Sequence, residues 1–292
     1  MVRPTPTQVR LWRPWGGRGA AVLAVLLATT LAGPPPALAW EQRAQRLVTD
    51  RAIDTLPDPL QGYFESNRAA IEQLVADPNQ WGEEKRGPET GFIRLDSYGR
   101  YPFAELPRDY NAAVRKFGRR TLGQHGVLPW QVGTYSLKLE EAFRRQDWEK
   151  VKLYAAILAH YVCEAHDPFN TTLNYNGELS GQLGVDSRYT RSLVERYQLF
   201  FIIHPGGAYK IDDPTGHAFG MVLEAHAWVD NILLADSQAR AGKVDYNDEY
   251  YDAFYEAAGA VLVRQLTDAS QDVGAYWYTA WVNAGQPPLP SH

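Results

Sequence analysis

Apolar side chains recur at three- and four-residue intervals in every long segment of this chain, the spacing of a helix face rather than the alternation of a half-buried strand. That periodicity predicts an all-α fold. From Trp40 to Leu56 the stripe is Ala44, Leu47, Val48, Ala52 and Leu56, and Pro57 ends it. Asp58 and Pro59 then read as the N-cap and first-turn proline of a second helix, striped by Leu60, Tyr63, Phe64, Ile71 and Val75, which stops before Pro78. The stretch 78–105, rich in Gly, Pro and charge, reads as an ordered loop. Pro107 opens a helix with Tyr110, Val114 and Phe117 in register, and Pro129 opens another with Tyr135, Leu139 and Phe143. Asp147 caps a third, running through Val151, Ala155, Leu158 and Val162 to Pro168. Glycines and asparagines mark 169–187 as a turn-rich excursion. Helices resume over 188–203, 214–236 and 247–283, the last with an expected bend at Gly274.

The first 39 residues read as a targeting segment rather than as part of the fold. Arg3, Arg10, Arg13 and Arg18, with no acid among them, precede the apolar run Ala20 to Leu31, and Ala37-Leu38-Ala39 is a small-x-small cleavage pattern. The run is shorter than the roughly 20 residues of a membrane span. The expectation is an exported protein, secreted or periplasmic, with Trp40 as its mature N-terminus and one helical domain over 40–292. Without the leader's four arginines, 25 basic residues face 34 acidic ones, a balance of −9. Such a surface repels phosphate backbones at long range, so nucleic acid is disfavoured as the main partner. A monomer is the default. The lone cysteine, Cys163, has no internal partner for a disulfide and reads as a small buried hydrophobe.

The segment that could carry chemistry is His160-Tyr161-Val162-Cys163-Glu164-Ala165-His166-Asp167-Pro168-Phe169-Asn170. His160 and Glu164, four residues apart, share one helix face within reach of a common ion. His166 reads as a hydrogen-bonding group at the helix end, and His226 with Asp230 as a structural i,i+4 pair. No Ser-His-Asp order, phosphate-cradling glycine loop or paired-cysteine zinc spacing accompanies them.

This segment resembles the His-Tyr-x-Gly-Asp-x-x-Gln-Pro-Leu-His signature of zinc-dependent phospholipases C and the related single-strand nucleases. Further stretches agree in order: Trp40 after Ala-Leu-Ala, Ala76-Asp77-Pro78, Ile93 to Asp96, Leu106 to Tyr110, Gly126 to Trp130, Asn174 to Gly177, and Trp277 to Gly285. The resemblance implies a helical scaffold holding three zinc ions, with the N-terminal tryptophan supplying its amine and carbonyl, and a metal-bound water attacking a phosphodiester.

Carried over residue by residue, the ligand positions fall on Trp40, Gln45, Asp77, Gly91, His160, Glu164, Asn170, Asp186 and Thr190. Trp40, Asp77, His160 and Glu164 are the retained or near-retained metal donors, with Asp77 also in the role of orienting the attacking water. Gln45, Gly91, Asn170 and Thr190 are poor or empty substitutes for imidazole. The expectation is one zinc or a harder divalent ion rather than a three-zinc cluster. Function then divides three ways. One reading is a phospholipase C-like protein with a degenerate cleft, weak or inactive. Another is a working metal-dependent phosphodiesterase acting on phospholipid or another phosphodiester. The third is an envelope or protein-interaction module.

Overall fold

The computed structural model describes residues 42–242 and 245–290; the expected leader and Trp40 lie outside them. The helices, in chain order, are α1 (Gln42–Asp54), α2 (Leu60–Ser66), α3 (Arg68–Ala76), α4 (Tyr110–Phe117), α5 (Arg119–His125), α6 (Leu128–Arg144), α7 (Trp148–Ala165), α8 (Val185–Ser187), α9 (Leu193–Tyr197), α10 (Pro214–His226), α11 (Val229–Arg240) and α12 (Asp248–Asn283). No strand occurs among the described residues, so the fold is all-α, as the periodicity predicts. None of these helices is long and apolar enough to cross a membrane.

Short polar side chains set four of the helix starts. Asp109 accepts from Ala112 N at 2.7 Å, Asp147 from Lys150 N at 3.2 Å, Asp213 from Gly216 N at 2.9 Å and Asn247 from Tyr250 N at 3.0 Å. Losing a cap of this kind typically costs about 1 kcal/mol.

Six expectations about helix boundaries need correction. Asp58 does not cap α2, which begins at Leu60 after Pro59 with no side-chain cap, and the helix expected from Pro107 begins at Tyr110 under Asp109. The helix expected from Pro59 to Asp77 is two, because Asn67 turns its amide onto Tyr63 O at 2.8 Å and interrupts the register between α2 and α3. The helix expected over 214–236 divides at Ala227 and Trp228 into α10 and α11. The loop 78–105 contains three 3₁₀ segments, Pro78–Glu84, Pro88–Thr90 and Leu95–Tyr98, anchored by buried Trp81, Ile93, Leu95 and Tyr98. Segment 188–203 is a π-helical turn (Arg188–Ser192), α9 and a 3₁₀ turn ending at Phe200.

α12 runs without a break through Gly274. The glycine is there for space: a Cβ at that position would overlap the Thr55 hydroxyl and press on Ala52 O, where the end of α1 crosses α12.

The core is built around α7 and α12. α7 packs along α6 and α3 and touches α1, α10 and α12, so most of its circumference is buried. Trp277 of α12 stacks on Phe64 with ring centroids 4.3 Å apart and donates its indole N–H to Ala155 O at 3.0 Å. Truncating a fully buried ring of this kind costs about 3–5 kcal/mol. Cys163 is buried on the same helix, as expected. With the apolar face of α7 committed to this core, His160 and Glu164 are left on the edge that meets α1 and the C-terminal end of α3.

Candidate functional site

Val151, Ala155, Leu158 and Val162 are fully buried, and the 3.6-residue repeat turns His160 and Glu164 together onto a neighbouring edge of α7. Their side chains are 13% and 7% exposed. Gln45 of α1 lies between them. Its Nε2 donates to Glu164 Oε1 at 2.7 Å, and its Oε1 accepts from His160 Nδ1 at 2.8 Å. Val75 O, at the end of α3, lies 3.2 Å from the same Nδ1. With two acceptors before it, Nδ1 carries the imidazole proton and Nε2 keeps its lone pair. Burial holds His160 down at about 4, so the ring is neutral at physiological pH.

Glu164 takes a second amide from below: Asn170 Nδ2 donates to Oε2 at 2.6 Å and to Glu164 O at 3.1 Å. Burial pushes the Glu164 carboxyl well up, and the nearby Asp167 and Asp186 add to this, while the Asn170 and Gln45 amides pull the other way. Asp186 is itself raised by burial to about 7, against the Thr190 hydroxyl and the Arg94 guanidinium, which favour its charge. Thr190 Oγ1 bonds Asp186 O at 2.9 Å and Oδ1 at 3.2 Å. Arg94 lies between the rings of Phe92 and Tyr175, 4.3 Å from each centroid, and donates to Phe169 O at 2.8 Å.

The four donors expected to hold metal are therefore distributed as follows. His160 and Glu164 come together, with Nε2 3.8 Å from Glu164 Oε1, beyond hydrogen-bond range. Asp77 caps the Pro78–Glu84 turn, accepting from Gln80 Nε2 at 3.0 Å, Asn79 N at 3.1 Å and Asn79 Nδ2 at 3.0 Å, and these bonds hold its carboxyl below the usual range. Trp40 lies outside the described residues. Among those residues no three His, Cys, Asp or Glu side chains gather in a way that could hold a metal ion. The donor chemistry points the same way. Both oxygens of Glu164 already receive amide N–H groups, from Gln45 and Asn170, and the oxygens of those amides are weak ligands for zinc. These residues do not fit a multinuclear cluster.

Two features escaped the sequence reading. Gln45 looked like a weak zinc ligand, yet its two-ended amide matches an imidazole N–H and a carboxylate at once, a pairing visible only across 115 and 119 residues of sequence. The second is a separate polar group around Asp272. Its Oδ2 bonds His166 Nε2 at 3.0 Å, and its Oδ1 bonds His217 Nε2 at 2.9 Å and Tyr209 OH at 2.6 Å. His166 thus has a distant carboxylate as its partner. His226 turns to Asp96, 3.3 Å away, and to Thr171 Oγ1 at 3.1 Å, so the expected pairing with Asp230 gives way to a tertiary one.

No protein-family model matches the chain, and no curated protein matches it. Among solved structures its fold is similar to the alpha-toxin of Clostridium absonum, with a TM-score of 0.51 and 10% identity over 82% of this chain. It is likewise similar to the alpha-toxin of Clostridium perfringens from an avian strain, with a TM-score of 0.52 and 9% identity over 81%. The chain spans 63% of the length of either toxin chain. At this identity the likeness is one of fold alone.

Proposed function

We propose that this chain is an exported, phospholipase C-like protein whose ancestral metal cleft has become a hydrogen-bonded polar cluster, leaving it weak or inactive toward phosphodiesters. The ordered motif resemblance and the alpha-toxin-like fold support the scaffold. The observation that carries the loss of metal chemistry is the Gln45 amide bridging His160 Nδ1 and Glu164 Oε1. It satisfies both groups internally, and the Asn170 amide completes the carboxylate. Such a cluster is stable without a cation because His160 Nδ1 and both Glu164 oxygens have hydrogen-bond partners within the protein. On this reading the protein acts as a monomer that binds through its cleft rather than turning substrate over. A phospholipid or another phosphodiester is the favoured ligand, and nucleic acid is disfavoured by the acidic surface.

A second reading is favoured by one specific contact. His160 Nδ1 faces the Val75 carbonyl, as metal-binding imidazoles commonly do, and Nε2 is left with a lone pair toward Glu164. A single zinc or other divalent ion held by Trp40, Asp77, His160 and Glu164 would then activate water for phosphodiester hydrolysis.

Elemental analysis of protein purified with its native Trp40 terminus, together with turnover of bis-p-nitrophenyl phosphate and phosphatidylcholine vesicles, separates the two. Less than about a tenth of a zinc per chain and no turnover is the expected result. Stoichiometric metal with turnover abolished by His160→Ala would replace the first reading by the second.

A further inference from the structure

A cleft of about 560 Å³ lies away from the His160–Glu164 cluster, where the N-terminal ends of α4, α6 and α10 meet. Arg108, Trp130, Leu137, Asp109 and Asp213 are among its lining residues. Arg108 is one of several arginines, with Arg94 and Arg240, whose guanidinium lies over an aromatic ring. Arg68, Arg144 and Arg188 are each paired with carboxylates, whereas no ion pair among the described residues includes Arg108. Its Nη1 is buried and has no hydrogen-bond partner. The guanidinium is instead laid over the Phe219 ring, 4.3 Å from the centroid. Phe219 packs edge-on against Trp130 at 5.1 Å, and Trp130 against Tyr110 at 5.5 Å. Trp130 Nε1 donates to Arg108 O at 2.7 Å, which fixes the arginine's main chain to the same aromatic column.

A positioned guanidinium with no carboxylate partner is a receptor for an oxyanion through whichever of its N–H donors the cleft reaches, each able to make a charge-assisted hydrogen bond. The acids nearby do not already fill that role. Asp109 and Asp213 turn an oxygen onto Ala112 N and Gly216 N as helix caps, and Arg115 lies 4.0 Å from Asp109. Two such carboxylates on the rim weigh more heavily against a dianion than against a single negative charge. Trp130 and Leu137, the latter 65% exposed, offer an apolar wall for the rest of the ligand.

We infer that this cleft binds a small organic carboxylate: its head is held by Arg108 and its flat or aliphatic body lies along Trp130 and Leu137. The site is independent of the cleft around His160, so it holds whichever reading of that cleft survives.

Calorimetric titration of the full chain with benzoate tests this, with benzamide as the uncharged analogue and phenyl phosphate as the more highly charged one. Saturable benzoate binding is expected, with benzamide and phenyl phosphate weaker. Arg108→Gln should weaken benzoate about tenfold or more, the scale of one charge-assisted hydrogen-bonded contact. Leu137→Glu alters only an exposed rim position and should weaken it several-fold while leaving the melting temperature unchanged, so loss of binding there is separable from misfolding. No saturable benzoate binding, equal affinity for benzamide, tighter phenyl phosphate binding, or benzoate affinity unchanged in Arg108→Gln would each overturn the assignment.

Discussion

Arg188 and Asp236 form a buried ion pair, with Nε and Nη2 both 2.9 Å from Oδ1 and side chains only 7% and 2% exposed. Tyr250 OH bonds the same oxygen, and Gln182 Nε2 donates to Oδ2 at 2.7 Å. Arg188 Nη1 holds Leu183 O at 2.8 Å, and Nη2 also donates to Gln182 O at 3.0 Å. One carboxylate on α11 therefore organises the end of the turn-rich excursion before α8.

Removing that carboxylate leaves a guanidinium buried and unpaired. Asp236→Ala is expected to lower unfolding stability by about 3–5 kcal/mol, measured by urea denaturation. It should also speed proteolytic cleavage within 173–187. A loss below 1 kcal/mol would mean that water replaces the carboxylate at no cost.

The neutral state of His160 gives a pH signature. Its folded value of about 4 lies below the 6.5 of an exposed imidazole, so the unfolded chain binds the proton more readily. The stabilisation this implies is present above pH 6.5 and is lost as pH falls toward 4. His160→Gln should therefore lose less stability than the wild type between pH 6.5 and 4.5. Parallel slopes in denaturation curves taken across that range would refute the assignment.

The Asp272 group has the opposite dependence on its histidine side. Burial alone would raise Asp272, but its bonds to His166 and His217 outweigh this and hold it well below the usual carboxylate range. Burial alone would lower His217, and the same carboxylate raises it. The Asp272 contribution is lost in acid, below the ordinary carboxylate value, and the His217 contribution is lost as pH rises through its elevated value above 6.5. Asp272→Asn should cost about 2–3 kcal/mol near pH 6 and less at pH 8, read from thermal unfolding at the two pH values.

Gly274 tests the close crossing of α1 and α12. Alanine there has better helix propensity by about 1 kcal/mol, yet its methyl would meet Thr55, whose hydroxyl is held on Ala52 O at 2.7 Å. Gly274→Ala should destabilise the protein by about 1–3 kcal/mol in spite of its propensity. Thr55→Ala made in the same chain should recover part of that loss. If Gly274→Ala alone raises the melting temperature, the crossing is looser than described.

Much of the architecture was legible from local signals. Asp109, Asp147, Asp213 and Asn247 sit at helix starts where they cap the backbone within three residues, and such interactions need no tertiary information. The apolar repeats through Val151 to Val162 and Tyr135 to Phe143 face the core as their spacing requires. The division between α10 and α11 was less visible, because the apolar repeat continues across Ala227 and Trp228 while the backbone does not.

The site was legible only in part. Spacing alone puts His160 and Glu164 on one face of a helix, since four residues make about one turn. Sequence could not show that Gln45 would bridge them, that Asp77 would turn to its own loop, or that Asp272 would collect His166 and His217. Those outcomes depend on where helices far apart in the chain cross, and the crossings are set by packing of side chains such as Trp277, Phe64 and Gly274. Periodicity and capping determined which segments are helices. Tertiary packing decided which polar groups meet, because a buried polar atom takes whichever partner the neighbouring helix brings within hydrogen-bond distance.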